Sequence, residues 1–276
     1  MDTVPVPTHS ATPADRATAL ASRFSYDELA HIYNACRVDY IVPMPMNARR
    51  MEEYVRDYDV ALDSSIVTFN GDGETTGIGM LGLRDQRAWF TRLGVIPDRR
   101  GHKVGQYLME TLMTHARSSG ATRGQLEVIE GNTPAHNLFL KLGFEITRKL
   151  LVIRRPPGKL DSAPPPVEPL TPDEIRICLA QRMDTPSWLD ETASLLHAGN
   201  LTGLRLGDRW IVYRKSAVQL SAFVFSHPDP DLICAVHHQH PLLDTKIENV
   251  DVGCWSAFHA AGYVEAFSRL EMLTTL

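Results

Sequence analysis

The residues best suited to chemistry lie in one short segment, residues 93–105, with the sequence LGVIPDRRGHKVG. A strand-like run ends there, a basic turn containing Gly101 and Gly105 follows, and a helical pattern begins. The first amides of a helix lack partners within the helix and carry the positive end of its dipole, so they bind phosphate well. Glycine lets the backbone approach such a ligand closely. The segment favours a phosphate-binding turn, although an ordinary basic turn can have the same composition.

The spacing within this segment excludes two common phosphate loops. A Walker loop needs GxxxxGK[ST], which the segment does not contain. A dinucleotide-binding turn needs GxGxxG after the first strand of a parallel sheet, and the segment lacks that spacing as well.

A second pattern decides between the alternatives. Residues 126–144 read LEVIEGNTPAHNLFLKLGF, which resembles LEVxxxNxxAxxLYxKLGF, a signature of the GNAT acetyltransferase superfamily. Residues 100–105, RGHKVG, are similar to the pyrophosphate-binding motif of the same superfamily, Q/R-x-x-G-x-G/A. Lys103 stands where the motif has glycine. The resemblance covers roughly residues 24–154 and implies a GNAT fold that binds acetyl-CoA.

The resemblance also implies the residues that hold the cofactor. The backbone at Leu93 and Val95 pairs with the pantetheine amides, as an added strand pairs with a sheet edge. Asn132 contacts the cofactor arm, although capping of the following helix explains this residue equally well. The pyrophosphate is held by Arg100, Gly101, His102, Lys103, Val104 and Gly105.

The catalytic assignment is less complete. An alkylammonium with a pKa near ~10 must lose its proton before it can attack a thioester. Glu127 aligns with the glutamate that acts as base in the ribosomal-protein alanine acetyltransferases, but a solvated or ion-paired strand glutamate fits the pattern as well. Phe139 stands where that branch has the tyrosine that protonates the leaving thiolate. Water, Tyr40 or Tyr107 then supplies the proton, or the thiolate leaves without one.

Hydrophobic periodicity places these motifs on a mixed α/β sheet. We expect an α-α-β-β-β-α-β-α-β order, with a capping box at Ser25 and Glu28 and a helix over residues 103–119. The predicted strands are 61–69, 76–83, 88–95, 125–129 and 144–154. Helical crossovers require neighbouring strands to be parallel.

Composition suggests four segments. Residues 1–23 read as a disordered lead-in, 24–154 as the GNAT domain, and 155–172, with seven prolines, as an extended linker. Residues 173–276 read as a degenerate GNAT-like domain, because residues 257–270 echo 138–151. With strands assigned at 232–236 and from 247, only ten residues remain for the crossover helix, so we predict that this copy does not bind coenzyme A. This copy would instead cover the first domain and form one wall of the acceptor cleft, or it would form the interface of a homodimer.

Charge and composition exclude several partners. The net charge is −5 and no run of Lys or Arg exceeds two residues, which argues against nucleic acid. The four cysteines form no CxxC pair, so we expect reduced thiols. Residues 237–240 (HHQH) have no acidic or thiol partner at ligand spacing, so we expect polar loop histidines and no metal. No apolar run approaches the ~20 residues of a membrane span. The cytoplasm is the expected location.

The sequence therefore predicts an N-acetyltransferase that acts by direct transfer in a ternary complex with a small-molecule or peptide amine. Residues 38–46 (VDYIVPMPM) would overhang the acceptor site, where Asp39 could meet an ammonium. The alternatives are a non-catalytic acyl-CoA sensor, which Phe139 favours, and a nucleotide-binding regulatory module.

Overall fold

The computed structural model describes residues 17–276, and their contacts divide them into two compact units. The first contains residues 17–55, Val60–Gln125 and Thr274–Leu276. The second contains Arg56–Asp59 and Leu126–Leu273. The division falls between Gln125 and Leu126 rather than in the proline-rich segment 155–172.

The first unit is a sheet in the order β1-β2-β3-β4-β5, antiparallel except for the parallel β4–β5 pair. An ideal Cβ at Gly79 would lie 2.6 Å from side-chain carbons of Leu108 and Leu112, so the glycine lets helix α3 pack closely on β3. The elements that belong wholly or partly to this unit are β1 (Ala17–Leu20), α1 (Tyr26–Ala35), α2 (Ala48–Asp57), β2 (Ile66–Phe69), β3 (Thr75–Arg84), β4 (Arg87–Val95), α3 (Val104–Ser118) and β5 (Arg123–Ile129).

The start of the described chain differs from the predicted lead-in. Residues 17–20 form β1, which pairs antiparallel with β2, and a 3₁₀ turn covers Ala21–Arg23. The rest of the predicted lead-in, residues 1–16, lies outside the described residues. The capping box is confirmed: the Glu28 amide donates to Ser25 Oγ over 3.2 Å, and the Ser25 amide donates to Glu28 Oε2 over 2.8 Å. The predicted strand 61–69 is shorter, beginning at Ile66.

The second unit has the strand order β5-β12-β6-β11-β10-β9-β8-β7. The last strand of the chain, β12, thus lies between β5 and β6, and β6 pairs antiparallel with both β12 and β11. These ladders join residues 126–155 to the carboxy-terminal region, which is why contacts do not divide the chain at the linker. The further elements are α4 (Thr133–Lys141), β6 (Glu145–Arg155), β7 (Glu168–Pro169), α5 (Pro172–Ala180), α6 (Thr192–Ala198), β8 (Leu201–Leu206), β9 (Arg209–Lys215), β10 (Gln219–Phe225), α7 (Pro230–Gln239), β11 (Asp244–Asp251), α8 (Trp255–Ala260) and β12 (Val264–Thr275).

Helix α7 corrects the prediction of a strand over residues 232–236. Leu232, Ile233 and Val236 are fully buried on this helix, because their spacing also suits one helical face. Helix α7 connects β10 to β11, which pair in parallel from Gln219 and Asp244. The second half therefore does contain a crossover helix. The prediction that only ten residues were left for such a helix was wrong.

None of the described helices is long and apolar enough to cross a membrane.

Candidate active site

The predicted phosphate-binding turn connects β4 to α3. Before it, the amides of Arg99 and Arg100 donate to the carbonyls of Ile96 and Pro97, over 2.9 and 3.1 Å. After it, the first helical bond runs from the Tyr107 amide to the Lys103 carbonyl over 3.0 Å. Within the described part of the chain, the amides of Gly101, Lys103, Val104 and Gly105 have no hydrogen-bond acceptor. Four donors at the positive end of α3 are therefore available to a ligand.

The turn is open rather than filled by side chains. Gly101 has a φ of 79°, and a Cβ added there would meet nothing within 4 Å. Lys103 has a φ of 60°, the left-handed region that favours glycine, at the position where the family motif has glycine. Gly101, His102 and Lys103 are exposed. An open, exposed turn with unpaired amide donors is suited to binding an anionic group.

The Arg100 side chain has partners that the sequence did not reveal. Its guanidinium donates to both carboxylate oxygens of Asp39, over 2.7 and 2.8 Å, and to the carbonyls of Cys36 and Val95, over 3.0 and 3.2 Å. The hydrogen bonds from Arg100 to the carboxylate, together with the charge of the guanidinium, lower the pKa of Asp39. Arg100 thus connects the end of α1 to the end of β4. Asp39, which we expected to meet an ammonium, is instead bound to Arg100.

The end of β4 carries Leu93 and Val95. The parallel pairing of β4 with β5 extends from Arg87 to Trp89, so Leu93 and Val95 lie beyond it. Between them and the paired segment, Arg92 adopts a φ of 50°, and the register between β3 and β4 shifts at this point. Such a bulge bends its strand and redirects the backbone that follows. The position of Leu93 and Val95 is compatible with backbone pairing to an extended ligand.

A cluster of arginine and tyrosine side chains lies beside this strand in the first unit. The Arg92 guanidinium donates to Tyr33 Oη over 3.1 Å and lies 4.0 Å from the centroid of the Tyr54 ring. Arg37 lies 3.5 Å from the centroid of the Tyr40 ring. No sequence pattern indicates the cluster, because its members come from α1, the following loop, α2 and β4.

The other predicted site residues belong to the second unit. Glu127 is half-buried on β5, between the buried Leu126 and Val128. Asn132 caps α4, accepting from the Ala135 amide over 3.4 Å, which confirms its capping role. Phe139 is 5% exposed, with its ring centroid 6.1 Å from that of Phe144. The phenylalanine is therefore a core residue.

The GNAT resemblance is supported by comparison with known proteins. The family model for the acetyltransferase (GNAT) family matches residues 26–144, a range that contains the open turn and the Asn132 cap. The chain carries a GNAT acetyltransferase domain.

The likeness of fold to solved GNAT structures extends over both halves of the chain. A GCN5-related N-acetyltransferase from Sphaerobacter thermophilus is 15% identical, with a TM-score of 0.69 over 95% of this chain and 96% of that one. A tandem GNAT protein from the clavulanic acid biosynthesis pathway is 14% identical, with a TM-score of 0.66 over 95% of this chain and 98% of that one. At these identities the likeness concerns the fold alone. A comparison with curated protein sequences found no match.

Helix α7, which follows β10 in the second half as α3 follows β4 in the first, has a different start. Asp229 Oδ1 accepts from the amides of Asp231 and Leu232, over 2.8 and 3.5 Å, and its carboxylate also pairs with Arg209. Pro230, at the first position of α7, has no amide hydrogen. The amino terminus of α7 is thus already occupied by a carboxylate of the chain, unlike that of α3.

The histidines near the end of α7 are not the polar loop residues that the sequence predicted. His237 is fully buried within the helix, and its Nε2 lies 2.9 Å from Tyr263 Oη. Burial lowers the pKa of His237 to about 3, so the ring is neutral at physiological pH. Among residues 17–276 no group of three or more His, Cys, Asp or Glu side chains is arranged to hold a metal ion.

Proposed function

We propose that this GNAT protein is an N-acetyltransferase that moves acetyl from acetyl-CoA to a primary amine by direct transfer in a ternary complex. The GNAT acetyltransferase family transfers acyl groups from acyl-CoA to an acceptor, so an acyltransferase follows from the family match. The observation that carries the proposal is the open turn, where four amides without acceptors meet the positive end of α3.

In this proposal the chain binds acetyl-CoA mainly through its backbone. The amides of Gly101, Lys103, Val104 and Gly105 would donate to the diphosphate, and the Lys103 ammonium would add a charge at low steric cost because it is exposed. The backbone of Leu93 and Val95 would pair with the pantetheine amides. Arg100 would hold the turn in place through its contacts with Asp39 and Cys36. His102 would contribute as a residue of the turn itself. Asn132 would contact the cofactor arm as well as cap α4.

When bound, acetyl-CoA supplies an activated acetyl thioester. The amine nitrogen forms a bond to the acetyl carbon as the carbon–sulfur bond breaks, and the electron pair leaves with the sulfur. Glu127 accepts the amine proton, directly or through water, and the amide near Val95 donates to the developing oxyanion. Because Phe139 has no proton to give, the thiolate takes its proton from solvent or leaves without one.

Thiol release from acetyl-CoA, followed with a chromogenic disulfide across a panel of small-molecule and peptide amines, tests the activity. Failure of every amine to give turnover would count against the enzyme. We expect Glu127→Gln to reduce turnover steeply at neutral pH without changing the affinity for acetyl-CoA, because only proton transfer is lost. Glu145→Gln, at an exposed residue at the start of β6, is the matched control. Equal rates for both variants and the wild type would remove Glu127 from the mechanism.

A non-catalytic acyl-CoA sensor is the second candidate, and the buried Phe139 favours it because the chain lacks the proton donor there. It predicts stabilisation by acetyl-CoA, about 2.7 kcal/mol at a hundredfold excess over Kd, without turnover of any amine. We also propose that residues 24–154 and 173–276 are two GNAT-like copies flanking a linker at 155–172. A homodimer and a cytoplasmic location stay predictions of the sequence.

A further inference from the structure

The second unit contains a cavity of about 690 Å³ between β10 and β11, a volume within the range of small-molecule sites. Its apolar side is formed by Phe223 and Phe225 of β10 and by Phe258 of α8. Residues 247–251 of β11 and the segment 182–187 form much of the remaining wall. All of its lining residues belong to the second unit.

The cavity exists because two neighbouring strands diverge. Strands β10 and β11 pair only at Gln219 and Leu220, and beyond this point β10 bulges at Ala222, which has a φ of 51°. Strand β11 has its own irregularity at Asn249, with a φ of 59°. Neither residue is glycine, and strained left-handed positions concentrate at functional sites.

The charged groups of the cavity are paired with one exception. Arg148 binds Glu271 and Asp251, Arg182 binds Asp184, and Glu248 binds Lys246 and Arg269. Asp190, which also lines the cavity, accepts from Ser187 Oγ over 2.9 Å and has no salt bridge with any described residue. The lining therefore contains five carboxylates and two guanidinium groups, and both guanidinium groups are already bound to carboxylates.

We infer that this cavity binds a small molecule in which a protonated amine is joined to a flat apolar body. The ammonium would pair with Asp190, and the body would lie among Phe223, Phe225 and Phe258. Aromatic faces also attract cations, so the three phenylalanines favour a positively charged ligand, as Asp190 does. Coenzyme A is a poor occupant because Asp229 holds the amides of α7 that a diphosphate would need. The inference concerns a site separate from the acetyl-CoA turn and does not depend on the proposed function.

The test uses the full chain and three indole probes that differ in charge: tryptamine, tryptophol and indole-3-propionate. Titration calorimetry should show saturable binding of tryptamine and at least tenfold weaker binding of the neutral and anionic probes. Asp190→Asn should reduce the tryptamine affinity about tenfold or more, because it removes a charged hydrogen bond. Asp231→Asn, on α7 outside the cavity lining, should not change it.

The pH dependence provides a readout that does not depend on a variant. Burial raises the pKa of Asp190 to about 7, although the hydrogen bond from Ser187 and the charge of Arg182 act to lower it; the charges of Glu248 and Asp184 act in the same direction as burial. Because the ionised carboxylate binds the ammonium, tryptamine affinity should increase from pH 6 to pH 8 in the wild type and stay constant in Asp190→Asn. Circular dichroism of each variant confirms that it is folded.

Several results would overturn the inference. They are the absence of saturable tryptamine binding, tryptophol binding as tightly as tryptamine, or an unchanged affinity in a folded Asp190→Asn protein. Loss of tryptamine binding in Asp39→Asn but not in Asp190→Asn would place the amine in the first unit, and would equally refute it. Turnover in the acetyl-CoA assay is measured separately, so failure here leaves the proposed activity standing.

Discussion

The conformation of Gly101 gives the most direct test of the diphosphate site. Its φ of 79° lies in the region that glycine adopts freely and alanine does not. Because a Cβ at this residue would meet nothing within 4 Å, Gly101→Ala should cause backbone strain without a steric clash. The cost of that strain is about 1–2 kcal/mol, and each kcal/mol lowers Tm by about 2–4 °C in a protein of this size class.

Gly120 provides a matched control. It ends α3 with a φ of 84°, and an added Cβ there also meets nothing within 4 Å. Gly120→Ala should therefore lower Tm by an amount similar to Gly101→Ala, because the strain is of the same kind. The two variants should differ only in ligand binding, since Gly120 lies at the opposite end of α3 from the turn.

Binding of coenzyme A by titration calorimetry separates them. Relief of the strain in Gly101→Ala should shift the turn and remove one charge-assisted hydrogen bond to the diphosphate, a loss of about 1.5–3 kcal/mol that corresponds to a Kd about tenfold higher or more. Gly120→Ala should bind like the wild type. Pantetheine, which lacks the diphosphate, should bind both variants equally well. Equal coenzyme A affinities for the two variants would refute the assignment of the turn to the diphosphate.

Three other properties of the chain can be tested more briefly. Gly94→Ala should destabilise the protein by about 1–3 kcal/mol in urea denaturation, because the added Cβ would lie 2.6 Å from Cys36 Cβ, while Gly158→Ala, in open space, should have little effect. The free energy of unfolding should decrease as the pH falls from about 6.5 towards 3, since the unfolded chain protonates His237 before the folded one does; this part of the pH dependence should be absent from His237→Leu. Coenzyme A should bind with a stoichiometry of one per chain, because Asp229 occupies the amides of α7, and a calorimetric stoichiometry of two would contradict this.

Local signals explain which parts of the structure the sequence predicted. The cap at Ser25, the helix after the basic turn and the cap at Asn132 each depend on residues a few positions apart, and all three are present. The GNAT motifs are also local, so the family and the fold class could be predicted.

Features that depend on distant residues could not be predicted in this way. Arg100 binds Asp39, which is 61 residues away, and no spacing rule connects them. The apolar run at 232–236 fits a buried strand and a buried helical face equally well, and only the position of α7 between two parallel strands distinguishes them. The insertion of β12 between β5 and β6 leaves no local signal, because both hydrogen-bonding edges of β12 pair with strands remote in sequence.

The two halves of the chain contain similar local arrangements at β4 and β10. Each has a bulged strand, β4 at Arg92 and β10 at Ala222, that pairs in parallel with its neighbour only at its start. The helix that follows β4 offers its first amides to a ligand, whereas the helix that follows β10 gives them to Asp229. Of these two helices, the one after β4 therefore has unpaired first amides, and the cavity lies beside β10. A non-glycine residue in the left-handed region is strained, and this strain opposes folding. Binding of the proposed ligand in the cavity beside β10 would explain why Ala222 has this conformation.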